Sequence, residues 1–190
     1  MAGAGIAAYT GARIGELAQL RKQDVIQEGK SWCLRITPEA GTVKTGQARI
    51  VPIHRHLIDQ GFIKFVHARI DGPLFAGKSR PDGLPAGFES LMCRMRDWIR
   101  EIVPDPNVQP FHGWRHRLKT TFRDLRIEQR VAEDIQGWAE GESNNAGGGY
   151  GEVSLKAKAN AIAARYKVKT APLLSPKQGR GSKALRIAAE

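Results

Sequence analysis

The stretch PFHGWRHRLKTTFRDLR, residues 110–126, sets the frame for the rest of the chain. Proline fixes its own φ, lacks an amide hydrogen and drives the preceding residue toward extended backbone. Pro104, Pro106 and Pro110 therefore end whatever helix precedes them and deliver an extended approach to His112. From about His112 to Arg126 the spacing predicts a helix with Leu118, Phe122 and Leu125 turned inward.

Reading outward from this helix, Val131 to Gly137 forms another short one. Gly141 to Gly151 is a glycine-rich loop carrying Tyr150, and Leu155 to Tyr166 is a last helix. Toward the N-terminus, Phe88, Leu91, Met92, Met95, Trp98, Ile99 and Ile102 recur at spacings of three and four, the clearest helical stripe in the chain. Gly72 to Pro85 is a loop, and Leu57 to Ile70 is an amphipathic helix. Three short strands come before it: Ser31–Thr37 with Trp32, Leu34 and Ile36 on one face, Thr42–Thr45, and Arg49–Ile53. They predict a small antiparallel sheet with Lys44 near a hairpin tip. Met1 to Tyr9 reads as part of a core helix, broken at Thr10-Gly11 before a second helix through Ile14, Leu17 and Ala18. The fold class is mainly α with a small antiparallel β-sheet.

The 190 residues suffice for one domain with a buried core, and 41% hydrophobic with 26% charged residues is ordinary for a globular protein. The net charge of +11 and pI near 10.1 point to a polyanionic partner. Nucleic acid is the first reading, an anionic membrane surface the second and a partner-free solubility charge the third. The distribution favours nucleic acid: after Glu152 come nine basic residues and one acid, Glu190. No apolar run is long enough to span a bilayer. Cys33 and Cys93, in apolar surroundings without CxxC spacing, suggest neither a disulfide framework nor a zinc site, and a reducing cytoplasm fits.

Five motifs then line up. Thr10-Gly11-Ala12-Arg13-Ile14-Gly15-Glu16-Leu17 places an arginine three before a glutamate. Val43-Lys44-Thr45-Gly46 precedes Arg49-Ile50-Val51-Pro52-Ile53. Phe111-His112-Gly113-Trp114-Arg115-His116, Ile135-Gln136-Gly137-Trp138 and Gly149-Tyr150-Gly151 follow. In this order they resemble the tyrosine recombinase, or phage integrase, family: its arginine box, its lysine hairpin with the R-x-V-P-[LI] strand, its H-x-x-R-H box, a segment where histidine is commonest but tryptophan occurs, and its nucleophile. Taken singly, each has an ordinary reading: Arg13 paired with Glu16, a capping or core histidine, a solvated lysine, a packing tryptophan, a loop tyrosine. Their joint order carries the functional one.

The resemblance implies DNA cleavage and rejoining through a 3′-phosphotyrosyl intermediate, with no cofactor and no metal. A phenol with an ordinary pKa near 10 needs a positive field or a base to attack at neutral pH. Tyr150 would be the nucleophile, with Tyr9 and Tyr166 as rivals that read as core. Arg13 and Arg115 would hold phosphate oxygens in planar donor forks. Lys44 would protonate the leaving 5′ oxygen. His112 would either donate to the phosphate or take the phenol proton. Trp138 could donate its indole N–H to a phosphate oxygen but could not transfer a proton. Glu16 and His116 would support these groups. Lys156, Lys158, Arg165, Lys167 and Lys169 would face double-stranded DNA. Ordering the glycine-rich run before Tyr150 costs about 1–2 kcal/mol per residue, which implies help from DNA or a neighbouring subunit.

Residues 1–169 are expected to form the catalytic domain, without the N-terminal domain usual in the family, and 170–190 a basic tail. The implied role is integration or excision of a mobile element such as a prophage, by self-association of four subunits on DNA in the cytoplasm, with no membrane partner. Two other readings stay open: a decayed recombinase that only binds DNA, and a type IB topoisomerase-like enzyme that relaxes supercoils.

Overall fold

The alanine-rich helix α1 (Ala2–Thr10) opens the fold, with Ile6 and Ala7 buried. It stops because Gly11 turns left-handed (φ 59) and Thr10 closes the helix end on itself. The Thr10 hydroxyl donates back to Ile6 O at 2.8 Å and accepts the Ala12 N–H at 3.2 Å. The chain restarts as α2 (Ile14–Ala18), whose N-terminus is closed by Glu16 Oε2 accepting the Arg13 N–H at 3.0 Å. This computed structural model describes residues 2–41, 43, 46–75, 87–138 and 152–167.

Strands β1 (Val25–Glu28) and β2 (Ser31–Ile36) form a tight antiparallel hairpin, and β3 (Arg49–Pro52) pairs antiparallel with the other edge of β2. The register sets Leu34 between Val25 and Val51. A three-stranded antiparallel sheet is present as expected, but its membership differs. Val25–Glu28, which the sequence pattern did not mark, is one of its strands. As an edge strand whose last residues are exposed, it shows no alternating apolar pattern in the sequence. Thr42, Lys44 and Thr45 lie outside the described residues, and β2 pairs directly with β3.

The expected Leu57–Ile70 helix is two helices, α3 (Arg55–Asp59) and α4 (Phe62–His67). Gly61 between them holds a left-handed φ of 86, which breaks the helical run while Leu57, Phe62 and Val66 still reach the core. Helices α5 (Phe88–Ile102), α6 (His112–Asp124), α7 (Gln129–Gln136) and α8 (Leu155–Lys167) fall where the periodicity put them. The α5 stripe is buried only at Met95 and Ile99, and Ile102 is 44% exposed.

The core joins these elements through Ile6, Leu17, Leu34, Val51, Leu118, Phe122, Ile135 and Ile162. Each buried side chain of this size contributes about 1.5–3 kcal/mol. Helix α1 packs on α2 and α6, while α7 packs on α6, α8 and β3. That arrangement brings the end of α7 against the start of β3, the N-terminus of α2 and the first turns of α6, where the motif residues lie.

Candidate active site

Helix α7 ends at Gly137, which adopts a left-handed conformation (φ 66, ψ 62) as the terminal cap. The Gly137 and Trp138 amides both turn back to Glu133 O, at 2.8 and 3.2 Å. A helix end leaves its last carbonyls without intrahelical donors and carries the negative pole of the helix dipole. Three guanidinium groups from distant parts of the chain fill this role. Arg13 Nη1 donates to Gly137 O at 2.8 Å. Arg115 Nη1 donates to Gln136 O, and its Nη2 to Gly137 O at 3.4 Å. Arg49 Nε donates to Ile135 O at 3.4 Å and its Nη2 to Gln136 O at 3.5 Å. Arg115 Nη1 also donates to Gly11 O at 2.9 Å, tying the break after α1 to the same cluster.

One carboxylate balances these cations. Glu16, with a side chain 1% exposed, accepts from Arg49 Nη2 at 2.6 Å and Nη1 at 3.3 Å, and from Arg13 Nη1 at 3.4 Å. Its expected role as Arg13's partner is therefore the lesser half of its bonding, because Arg49 holds it more closely. Arg13 is 24% exposed along its side chain, and among the described residues its Nε and Nη2 have no hydrogen-bond partner. Those donors are placed to take an anion. Arg115 is buried and its fork is anchored on backbone carbonyls, so its charge is fixed in position.

Trp138 completes the cluster. Lys119 Nζ lies 3.9 Å from its ring centroid and Arg115 Cζ 4.9 Å from it, both in cation–π contact. Its indole N–H, expected to face a phosphate, donates instead to Gln136 Oε1 at 2.7 Å. The buried Gln136 returns through Nε2 to Arg115 O at 3.4 Å. His112 and His116 occupy the first turns of α6, exposed, with ring centroids 6.4 Å apart. Arg13 and Arg49 thus share Glu16, while Arg115 and Lys119 both lie against Trp138. Among the described residues, no group of three His, Cys, Asp or Glu side chains is placed to hold a metal ion.

Arg13, Glu16, Arg115 and Trp138 lie together at the end of α7, with His112 and His116 on the helix that carries Arg115. Lys44, Tyr150 and Lys169 lie outside the described residues, as do the side chains of Arg165 and Lys167 on α8. Lys156 is exposed on α8. Lys158, expected to face DNA, is a correction: it is buried, its ammonium donating to Ile50 O at 3.0 Å and pairing with Asp134, so it fastens α8 to β3 and α7. Tyr9 is core, as read, with its hydroxyl 2.6 Å from His56 Nδ1 and its ring stacked on His54.

The residues that sequence reasoning left unassigned are Arg49, Lys119 and Gln136. Arg49 carried a signal, since it opens a strand that is otherwise buried. A charge there needs a partner, and Glu16, already matched to Arg13, is the motif acid that meets it. Nothing in the sequence marked Lys119 as a neighbour of Trp138.

No family model matches the chain, and no curated protein matches it by sequence. Solved structures do match in fold. One is the XerH site-specific recombinase bound to difH substrate, a pre-cleavage complex, at 18% identity and a TM-score of 0.54, covering 73% of this chain and 39% of that one. Another is XerH bound to a palindromic difH substrate, a post-cleavage complex, at 17% identity and a TM-score of 0.56, covering 73% and 38%. The chain spans about two fifths of the length of these structures. It has a tyrosine recombinase-like fold, mainly helical with a three-stranded antiparallel sheet.

Proposed function

We propose that this chain is the catalytic domain of a site-specific DNA recombinase, which cleaves and rejoins double-stranded DNA through a 3′-phosphotyrosyl intermediate. One observation carries the reading. Arg13 and Arg115, far apart in sequence, meet on Gly137 O beside Trp138, with Arg13 presenting unengaged donors.

In this reading the scissile phosphate sits against Arg13 and Arg115. The free donors of Arg13 and the fixed positive charge of Arg115 meet the charge that grows on the non-bridging oxygens as the Tyr150 oxygen attacks phosphorus. The phosphorus–5′-oxygen bond breaks as Lys44 gives a proton to that oxygen, leaving the 3′-phosphate on the tyrosine. The phenol proton passes to His112, at the exposed start of α6, or to solvent, in which case His112 donates to the phosphate. Trp138 lies beside the two arginines, its ring braced by Lys119 and Arg115 and its N–H held by Gln136. Losing one preorganised donor of this kind slows the chemical step by about 10²–10³-fold. Lys156, Arg165, Lys167 and Lys169 contact the DNA backbone. Subunits assemble on DNA as a tetramer in the cytoplasm, and the biological role is integration or excision of a mobile element. The cationic site, the basic tail and the fold likeness to recombinases support this reading.

The test uses a pool of nicked suicide duplexes with randomised core sequence. A covalent protein–DNA adduct forms with the natural chain and is lost in Tyr150→Phe. No adduct with any duplex leaves a DNA-binding remnant instead. An adduct that persists in Tyr150→Phe overturns the nucleophile.

A further inference from the structure

Arg49 is the most deeply placed cation of the cluster, with a side chain 6% exposed. It does not face the surface on which Arg13 presents its donors, and the chemistry above gives it no task. Yet it makes the shortest contact to Glu16, 2.6 Å from Nη2, and touches two carbonyls at the end of α7, of which Gln136 O also holds Arg115. We propose that Arg49 is a positioning residue that keeps Arg13 available for phosphate, by neutralising Glu16 and by bracing the end of α7. This rests on reading the site as a phosphate clamp.

The argument begins with Glu16. A carboxylate this buried must have its charge met, because an unpaired ion in a protein interior is strongly disfavoured. Arg49 meets it with both Nη atoms at 2.6 and 3.3 Å. The Arg13 guanidinium consequently sits at the longer distance of 3.4 Å through a single nitrogen, and its Nε and Nη2 stay free among the described residues. Without Arg49, Arg13 becomes the guanidinium left in contact with Glu16. The attraction then draws it into a two-pronged ion pair, taking away the donors a phosphate needs. The competition is electrostatic, so it disappears if Glu16 loses its charge.

Single-turnover cleavage of the suicide duplex tests this with two substrates. One has the natural phosphate, and the other an uncharged methylphosphonate at the scissile position, which has less need of a guanidinium clamp. Arg49→Met is expected to slow the phosphate substrate by about 100-fold and the methylphosphonate by less than about 10-fold, the same split as Arg13→Ala. Adding Glu16→Gln to Arg49→Met is expected to restore at least about 10-fold on the phosphate substrate. Equal slowing of both substrates, or no recovery in the double variant, overturns the proposal in favour of a purely structural Arg49. Circular dichroism and thermal melts establish that the variants fold. If Arg49→Met does not, the likewise uncharged Arg49→Gln carries the same comparison, and failure of both to fold also assigns a structural role. If the natural chain itself forms no Tyr150-dependent adduct, the proposed function fails and takes this inference with it; an Arg49-specific failure is recognised by intact cleavage in the natural chain.

Discussion

Replacing Gly137 with alanine places a methyl group where the Arg49 guanidinium lies. An ideal Cβ on Gly137 would sit 2.5 Å from both Cζ and Nη1 of Arg49. A surface arginine would swing aside at little cost. This one is held by Glu16 and the carbonyls of Ile135 and Gln136, so moving it breaks bonds in a buried site. Two terms add. The left-handed φ of 66 costs a non-glycine residue about 1–2 kcal/mol. Overpacking of a filled interior costs about 1–3 kcal/mol more. Gly29→Ala is the matching control, since Gly29 has a similar φ of 58 and nothing within 4 Å of its Cβ position. It is expected to lose the first term alone. Urea denaturation with a constant m value should therefore show Gly137→Ala less stable than the natural chain by about 2–5 kcal/mol, and Gly29→Ala by about 1–2 kcal/mol. In a thermal melt each kcal/mol moves the midpoint by about 2–4 °C for a chain of this size. Equal losses for the two variants would refute the claim that Arg49 is pinned beneath Gly137.

Lys158→Ala is expected to destabilise the protein by about 1–3 kcal/mol in the same urea assay, below the usual range for a broken buried pair because Asp134 is 34% exposed. Lys156→Ala should leave stability unchanged and, as a proposed DNA contact, reduce the salt slope of DNA affinity by about one; the reverse pattern would exchange the two lysines' roles. Trp138→Ala removes a ring that two cations face and should lose about 2 kcal/mol, whereas Trp138→Phe keeps a ring face and should lose less than half as much, with equal losses counting against the cation–π contacts. Cys93 is exposed while Cys33 is buried and its thiol is pushed up from the ordinary value, chiefly by desolvation. A disulfide reagent at pH 8 should titrate Cys93 at once and Cys33 only after unfolding, and rapid modification of both would contradict the packing of β2.

Local patterns were legible wherever one rule governed them. The helices α5 to α8 follow from apolar spacing, and the break after α1 from a Thr-Gly pair. The motif order points to the recombinase-like fold. Patterns failed where two rules met. Leu57 to Ile70 keeps helical spacing across a break, because Gly61 interrupts the backbone while the apolar face continues. Strand β1 has no alternation to read, because an edge strand needs to bury little. Lys158 read as a DNA contact because a lysine on a basic helix is usually solvated, and its partner Asp134 lies on a different helix.

The sequence by itself determined the class of the fold, the cationic character of the chain and the identity of most residues gathered at the candidate site. Those depend on composition and on spacing within a helix or strand, which are local. Only the tertiary structure decided how the charges are shared. It placed three arginines on the last carbonyls of one helix, gave Glu16 mainly to Arg49, and turned the Trp138 N–H inward to Gln136. Such pairings join positions as far apart as Arg13 and Gly137, 124 residues, and they are settled by which surfaces must be buried together.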